Sequence, residues 1–256
     1  MVGSFLNVCI WRLPRGQSVV RPRSRCPTCA HPIAWYDNIP LLSYLWLGGR
    51  CRHCHGAIHW RYPVVEALSG ASAVCVLQRF GLGLQGAIYL IFVWSLIVAS
   101  FIDLEHQIIP DEISLGGLAV GLLISPLAPP LHGADHVLVA AKRSIAGALV
   151  GGGLLYATGA MGSLLFRKEA MGGGDIKLLA MAGSLLGWKL VTLTFFVAPL
   201  LALIPGLGVL LFKRSHMIPY GPFLSLALVL SLFVGEWLIQ LSGVEETVQL
   251  LWSYYR

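Results

Sequence analysis

Beyond residue 62 the sequence is a succession of apolar runs with little between them. The candidate spans are 63–80, 82–102, 113–131, 144–166, 176–188, 190–212 and 222–241, parted by "RFGLG", "DLEHQIIPDE", "PPLHGADH", "RKEAMGGGD", "GWK" and "KRSHMIPYGP". Backbone in lipid must satisfy its own N–H and C=O groups, so apolar runs of this length commit the chain to helices. Composition agrees: 12% of residues are charged, where a soluble domain carries about 25%. The expected fold class is all-α, a polytopic helical membrane protein. Run 176–188 is short for a full crossing and reads as a half-helix or as a segment buried among neighbours. The opening "MVGSFLNVCIW" is too short to span, and it lacks the basic start and small-residue cleavage site of a secretory signal.

The charge is uneven. Residues 1–62 hold eight arginines and one acid, Asp37, whereas 63–256 hold ten basic and eleven acidic residues. Beside a hydrophobic remainder, such a basic segment reads as a cytoplasmic one held by the positive-inside rule rather than as a nucleic-acid surface. Counting crossings from there puts loops 103–112, 167–175 and 213–221 on the cytoplasmic side. The basic pairs Arg167–Lys168 and Lys213–Arg214 agree with that, and Lys142–Arg143 is a mild violation.

Cys26–Cys29 in "CPTC" and Cys51–Cys54 in "CRHC" are two C-x2-C pairs separated by 21 residues. That spacing fits a four-thiolate zinc site. Disulfides belong to oxidising compartments, and the crossing count places this segment in a reducing one. With four thiolates the ion would have no open position, so its role would be structural. The expectation is a small zinc-stabilised cytoplasmic segment over 12–62, ahead of a membrane-embedded domain over 63–256.

Two carboxylates stand where apolar runs meet loops on the same expected face. Asp103 ends "AIYLIFVWSLIVASFID", and Asp175 begins "IKLLAMAGSLLGW" after three glycines. Taken singly, Asp175 could cap a helix and Asp103 could be an interfacial charge. Taken together, two close carboxylates share a proton, so one can take a proton from water while the other donates to a scissile carbonyl. Gly172, Gly173 and Gly174 would then supply unusual backbone dihedrals and let an extended substrate strand lie close. Asp111, Glu66 and Lys177 are second-rank candidates: Asp111 follows Pro110 at a helix start, Glu66 is an acid within an apolar run, and Lys177 does not face Asp175 on a helix.

These motifs resemble the type IV prepilin peptidases, the leader peptidases and N-methyltransferases of bacterial inner membranes. The matching stretches are "GSFLNVCIWRLP", "SRCPTCAHPIAWYDNIPLLSYLWLGGRCRHC", "RYPVVEALSG", "FIDLEHQIIPD", "GGGDIKLLA" and "IPYGPFL". The resemblance implies a membrane aspartic endopeptidase with Asp103 and Asp175 as its catalytic pair and a zinc cluster of Cys26, Cys29, Cys51 and Cys54. It implies prepilin or pseudopilin substrates with a short basic leader, cut at the cytoplasmic face. It further implies methylation of the new N-terminus from S-adenosylmethionine. Relatives usually carry an apolar helix before "GSFLNV", so residues 1–11 read as the remnant of one. The expected partners are the substrate and the lipid bilayer, without nucleic acid. Two rivals use the same features: a channel or transporter with the aspartates along an ion path, and an inactive binding module of a pilus or secretion assembly docking through the basic segment.

Overall fold

The computed structural model describes residues 2–22, 24–167, 171–212 and 219–241. The basic residues Arg23, Lys168, Lys213 and Arg214 lie outside them. The chain separates into two compact units, 1–110 and 111–256. Among the described residues there are helices and short turns, with two isolated β-bridges and no strand.

In the first unit, α1 (Val2–Arg12) buries Gly3, Leu6, Asn7 and Ile10, the one-sided spacing of a helix packed on a neighbour. That neighbour is α3 (Arg61–Phe80), which lies so close that a Cβ on Gly3 would fall 2.4 Å from Ser69 Oγ. Asn7 is fully buried, and its Nδ2 donates to the carbonyls of Gly3 and Tyr62. Between α1 and α3 lie the cysteine segment and a short helix α2 (Leu42–Trp46). After a turn at Gly81, α4 (Leu84–His106) buries Ile88, Phe92, Leu96, Ala99 and Ile102. It ends where Gln107 turns left-handed and donates its N–H to the Asp103 carbonyl.

The second unit comprises α5 (Asp111–Leu127), α6 (Val137–Phe166), α7 (Gly173–Phe212) and α8 (Gly221–Leu241). By length and apolarity four helices among the described residues qualify to cross a membrane: Leu84–His106, Val137–Phe166, Gly173–Leu203 and Gly221–Leu241. The seven expected runs are all helical, but not each qualifies as a crossing by itself. Helix α5 has only 17 residues, and α3 carries Arg61, Glu66 and Arg79.

The third of these is not a single crossing. Gly187 has φ 79° and ψ 170°, outside helical space and accessible essentially to glycine alone. Its neighbours show what the break does. On α6, Gly147 touches both Gly183 and Gly187, while Gly151 touches both Leu179 and Val191. Residues before Gly187 therefore run antiparallel to α6 and residues after it run parallel. So α7 is a hairpin of two legs, 173–186 and 188–212. The separate runs expected at 176–188 and 190–212 are these legs, and the "GWK" break is the reversal.

The reversal is held by one carbonyl. The side-chain hydroxyls of Ser125 on α5 and Ser144 on α6 donate to the Ser184 carbonyl at 2.8 and 2.7 Å. In an unbroken helix that carbonyl would accept the N–H four residues on, and the break would otherwise orphan it in an apolar interior. The Arg143 guanidinium donates to the carbonyls of His132 and Gly133 in the adjoining turn. That use explains a basic residue at a position the charge rule disfavours.

Candidate active site and metal centre

Asp175 stands at the third position of α7, not at the cap as a lone helix-start carboxylate would. The helix begins at Gly173, earlier than the apolar run suggests. Consequently Gly173 and Gly174 are helical, and none of the three glycines has a positive φ. Against the expectation of unusual dihedrals, Gly173 and Gly174 take helical ones. A Cβ on Gly172 would stand 3.1 Å from Asp175 Oδ2, and one on Gly173 would meet nothing within 4 Å.

Because α7 doubles back, the second unit gathers polar groups at one end. Lys177 Nζ donates to Asp111 Oδ1 at 2.7 Å, joining α7 to the first residue of α5. Both groups are substantially exposed, so the pair adds at most about 1 kcal/mol. Tyr220, just before α8, lies within the field of Asp175. Burial pushes its phenol up to about 12, and the Asp175 charge adds to the shift. Tyr220 therefore stays protonated at physiological pH and can donate a hydrogen bond. Sequence reading passed over it, although "IPYGPFL" had been singled out; nothing short of the hairpin reveals its neighbour.

In the first unit Asp103 is buried in the last turn of α4. Two residues on, both oxygens of Glu105 accept from Arg61 Nη1 at 2.5 Å, and Arg61 is itself buried at the start of α3. This ion pair ties the aspartate-bearing turn to α3. Arg61 is buried while Glu105 is partly exposed, so removing Glu105 leaves the guanidinium without its partner away from water. Sequence reading counted Arg61 only as one of eight basic residues. Glu66 is placed elsewhere: its Oε2 accepts the backbone N–H of Leu41 at 2.9 Å.

The four cysteines come together. One Sγ from each of Cys26, Cys29, Cys51 and Cys54 lies within 4.8 Å of all the others, and all four thiols are free. A tetrahedral ion with metal–sulfur bonds near 2.3 Å needs sulfurs about 3.8 Å apart. The Cys26–Cys54 separation is 3.8 Å. Without an ion the thiols share protons unevenly. Burial of Cys26 opposes ionisation, but N–H groups of Cys29 and Thr28 and the neighbouring thiols draw it down to about 6. At Cys54 the Gly56 N–H favours the thiolate, yet burial and the other thiols drive it up to about 11. A cation would replace those protons.

The cluster is built from two knuckles of the same pattern. Cys26 N–H donates to the His31 carbonyl and Ala30 N–H to the Cys26 carbonyl; Cys51 N–H donates to Gly56 and His55 N–H to Cys51. Ala30 and His55 each take a positive φ, and the bridges Arg25–Pro32 and Arg50–Ala57 close the two turns. The signal is the five-residue pattern Arg-Cys-x-x-Cys, present twice.

The profile of the type IV leader peptidase family matches residues 90–207, which include both aspartates. That of the bacterial peptidase A24 N-terminal domain matches residues 1–80, which include all four cysteines. A prepilin leader peptidase/N-methyltransferase of Aeromonas salmonicida is 38% identical over 264 residues, covering 92% of this chain and 88% of that protein. The chain belongs to the type IV leader peptidase family. Other relatives of the same description include one from Pseudomonas aeruginosa, 34% identical over 92% of this chain and 88% of its own length. Another, from Myxococcus xanthus, is 42% identical over 82% of this chain and 60% of its own length. No solved structure matches. As a type IV leader peptidase the chain is an enzyme, and its apolar helices make it a multi-pass membrane one.

Proposed function

We propose that this chain removes the short basic leader of type IV prepilins or pseudopilins with the carboxylates of Asp103 and Asp175, at the cytoplasmic face of the inner membrane. The observation that carries the reading is the hairpin of α7. Its return brings Tyr220 within the field of Asp175, and Lys177 on the same leg pairs with Asp111 at the start of α5. Asp103 precedes Asp111 by eight residues in the chain.

The chemistry is that of paired carboxylates. The ionised aspartate takes a proton from water as its oxygen bonds to the scissile carbonyl carbon. The protonated aspartate gives its proton to the carbonyl oxygen. Collapse of the tetrahedral species re-forms C=O, breaks the C–N bond and passes a proton to the leaving amine. The open face above Gly173 lets the substrate backbone approach. Asp111 and Lys177 orient the leg carrying Asp175, and Glu66 serves the fold through Leu41. The division into 1–11, 12–62 and 63–256 gives a lead segment, a basic metal-holding segment and the catalytic domain.

The four thiolates suit Zn²⁺, bound without an open position and therefore structural. The relatives' name adds N-methylation, for which S-adenosylmethionine would supply the methyl group. Among the described residues there is no strand, hence no strand–glycine–helix turn of the sort that holds an adenosine cofactor in α/β folds. The donor's seat is therefore assigned to no residue.

Cleavage of a synthetic prepilin by the purified protein tests the reading, beside Asp103→Asn and Asp175→Asn. Each variant is expected to lose at least about a hundred-fold in rate, the scale of general acid–base catalysis, while its helix content is unchanged. Retained cleavage in either folded variant removes that residue from the pair. Proton or cation flux in vesicles, lost with either aspartate and without cleavage by the parent, would instead make the chain a conductor.

A further inference from the structure

The first unit carries a helix that faces the wrong way for water. On α2, Leu42, Leu45 and Trp46 share one face at the i, i+3, i+4 spacing, and they are 66%, 74% and 87% exposed. The polar residues turn inward instead. Ser43 Oγ donates to the Ile39 carbonyl, and the Tyr44 hydroxyl lies 3.0 Å from where a Cβ on Gly49 would stand. Trp35, on the adjoining turn of residues 35–38, is 75% exposed. An exposed apolar face of this kind marks an interaction surface.

The face is also held in place. Ser4 Oγ donates to Asn38 Oδ1 at 2.6 Å, tying the segment to α1. Leu41 takes φ 61° and ψ −47° in a tight turn closed by Leu42 N–H to the Pro40 carbonyl, and the Glu66 carboxylate on α3 grips the Leu41 N–H. Such a turn is strained for a leucine and persists only where its surroundings fix it. The unit spends that strain on keeping α2 apolar side outward.

The surrounding charge names the occupant. Asp37 is the only acid in 1–62, and Arg52 takes it in an ion pair. Arg15, Arg21, Arg25 and Arg50 are exposed, with no acid paired to them among the described residues. Next to Arg15, whose guanidinium lies 3.7 Å over the Trp11 ring, α1 presents exposed Val2, Phe5 and Trp11. Tryptophans, leucines and arginines in one stretch are what an interfacial anchor on anionic lipid requires. A basic peptide leader would be repelled by the same arginines.

We propose that the α2 face, Leu42, Leu45 and Trp46 with Trp35 beside it, lies in the headgroup–acyl boundary of the bilayer, with the arginines of this segment on anionic lipid phosphates. The cysteine segment is then a monotopic foot resting on the membrane rather than a lobe projecting into water. This rests on the membrane setting and not on the peptidase chemistry.

The test uses the full chain in vesicles of phosphatidylethanolamine and phosphatidylglycerol, without substrate. The lipids are brominated either just below the headgroup or at the acyl terminus. The emission of Trp46 is taken as parent minus Trp46→Phe, and that of Trp35 as parent minus Trp35→Phe; unchanged bound metal shows that each variant is folded. Both difference spectra are expected to be blue-shifted and to lose most of their intensity with shallow bromines and less with deep ones. Exchanging phosphatidylglycerol for phosphatidylcholine is expected to weaken the quenching, and equal quenching overturns the role given to the arginines. Water-like, unquenched spectra overturn the proposal. So does a blue shift that appears only when a synthetic prepilin is added, which would give the face to the substrate.

Discussion

Two glycines decide how closely α6 meets the first leg of α7. A Cβ on Gly183 would stand 2.0 Å from the Gly147 carbonyl oxygen, and one on Gly147 would stand 2.1 Å from that of Gly183. Packing of small residues is what brings helices together in lipid, where apolar side chains gain nothing by leaving the solvent. Gly183→Ala is therefore expected to destabilise by about 1–3 kcal/mol, as overpacking does, and to lower the thermal midpoint in detergent. Gly153→Ala, on the same α6 but with nothing within 4 Å of the new Cβ, should show no such loss. His132 makes a second prediction at this scale. Burial holds its pKa below 6.5; the Ser184 carbonyl opposes this and the Arg143 charge reinforces it. A depressed folded pKa means that the unfolded chain binds the proton first, so this contribution is whole above about pH 6.5 and shrinks as pH falls. His132→Gln removes the titration, and its midpoint should fall less than the parent's between neutral and acidic pH.

At the scale of elements, the hairpin of α7 positions Asp175 and the paired knuckles bring the four thiols together. Each knuckle fixes two thiols with a few backbone hydrogen bonds, and neither encloses an apolar core of its own. Cys51→Ser should therefore cost the metal and much of the segment's order together, since the binding energy of a structural ion is folding energy. The expected outcome is loss of bound metal and of amide protection over 24–60, with helix α6 unaffected. How much of this was legible differs by element. The cysteines were legible because ligand chemistry fixes their spacing, and most helix positions were legible because apolar runs set them. The break at Gly187 was legible as a break. The reversal there was implied by counting 176–188 and 190–212 as separate crossings, but which glycine makes it was not, because one glycine's backbone angles leave no periodic trace. The Arg61–Glu105 pair was hidden for another reason: its partners are 44 residues apart, and only packing of α3 on α4 brings them together. Asp175 at the third position rather than the cap shows the limit of reading a helix start from hydrophobicity, since the glycines ahead of it carry no apolar signal.

On the scale of the whole molecule, the separation into units at 110–111 gives each aspartate its own support. Asp103 is set by α4 and the Arg61–Glu105 pair, and Asp175 by the first leg of α7 packed against α5 and α6. A variant that loosens one support should leave the other unit's packing intact. The Gly187 reversal has one more consequence, for the sidedness of everything after it. Its two legs run opposite ways and so cancel in the count of passages through the bilayer. A straight α7 would deliver Tyr220 and the start of α8 to the face opposite Asp175; the folded one returns them to the same face. One backbone conformation at one glycine thus changes the crossing count from odd to even, and with it the side from which α8 sets out.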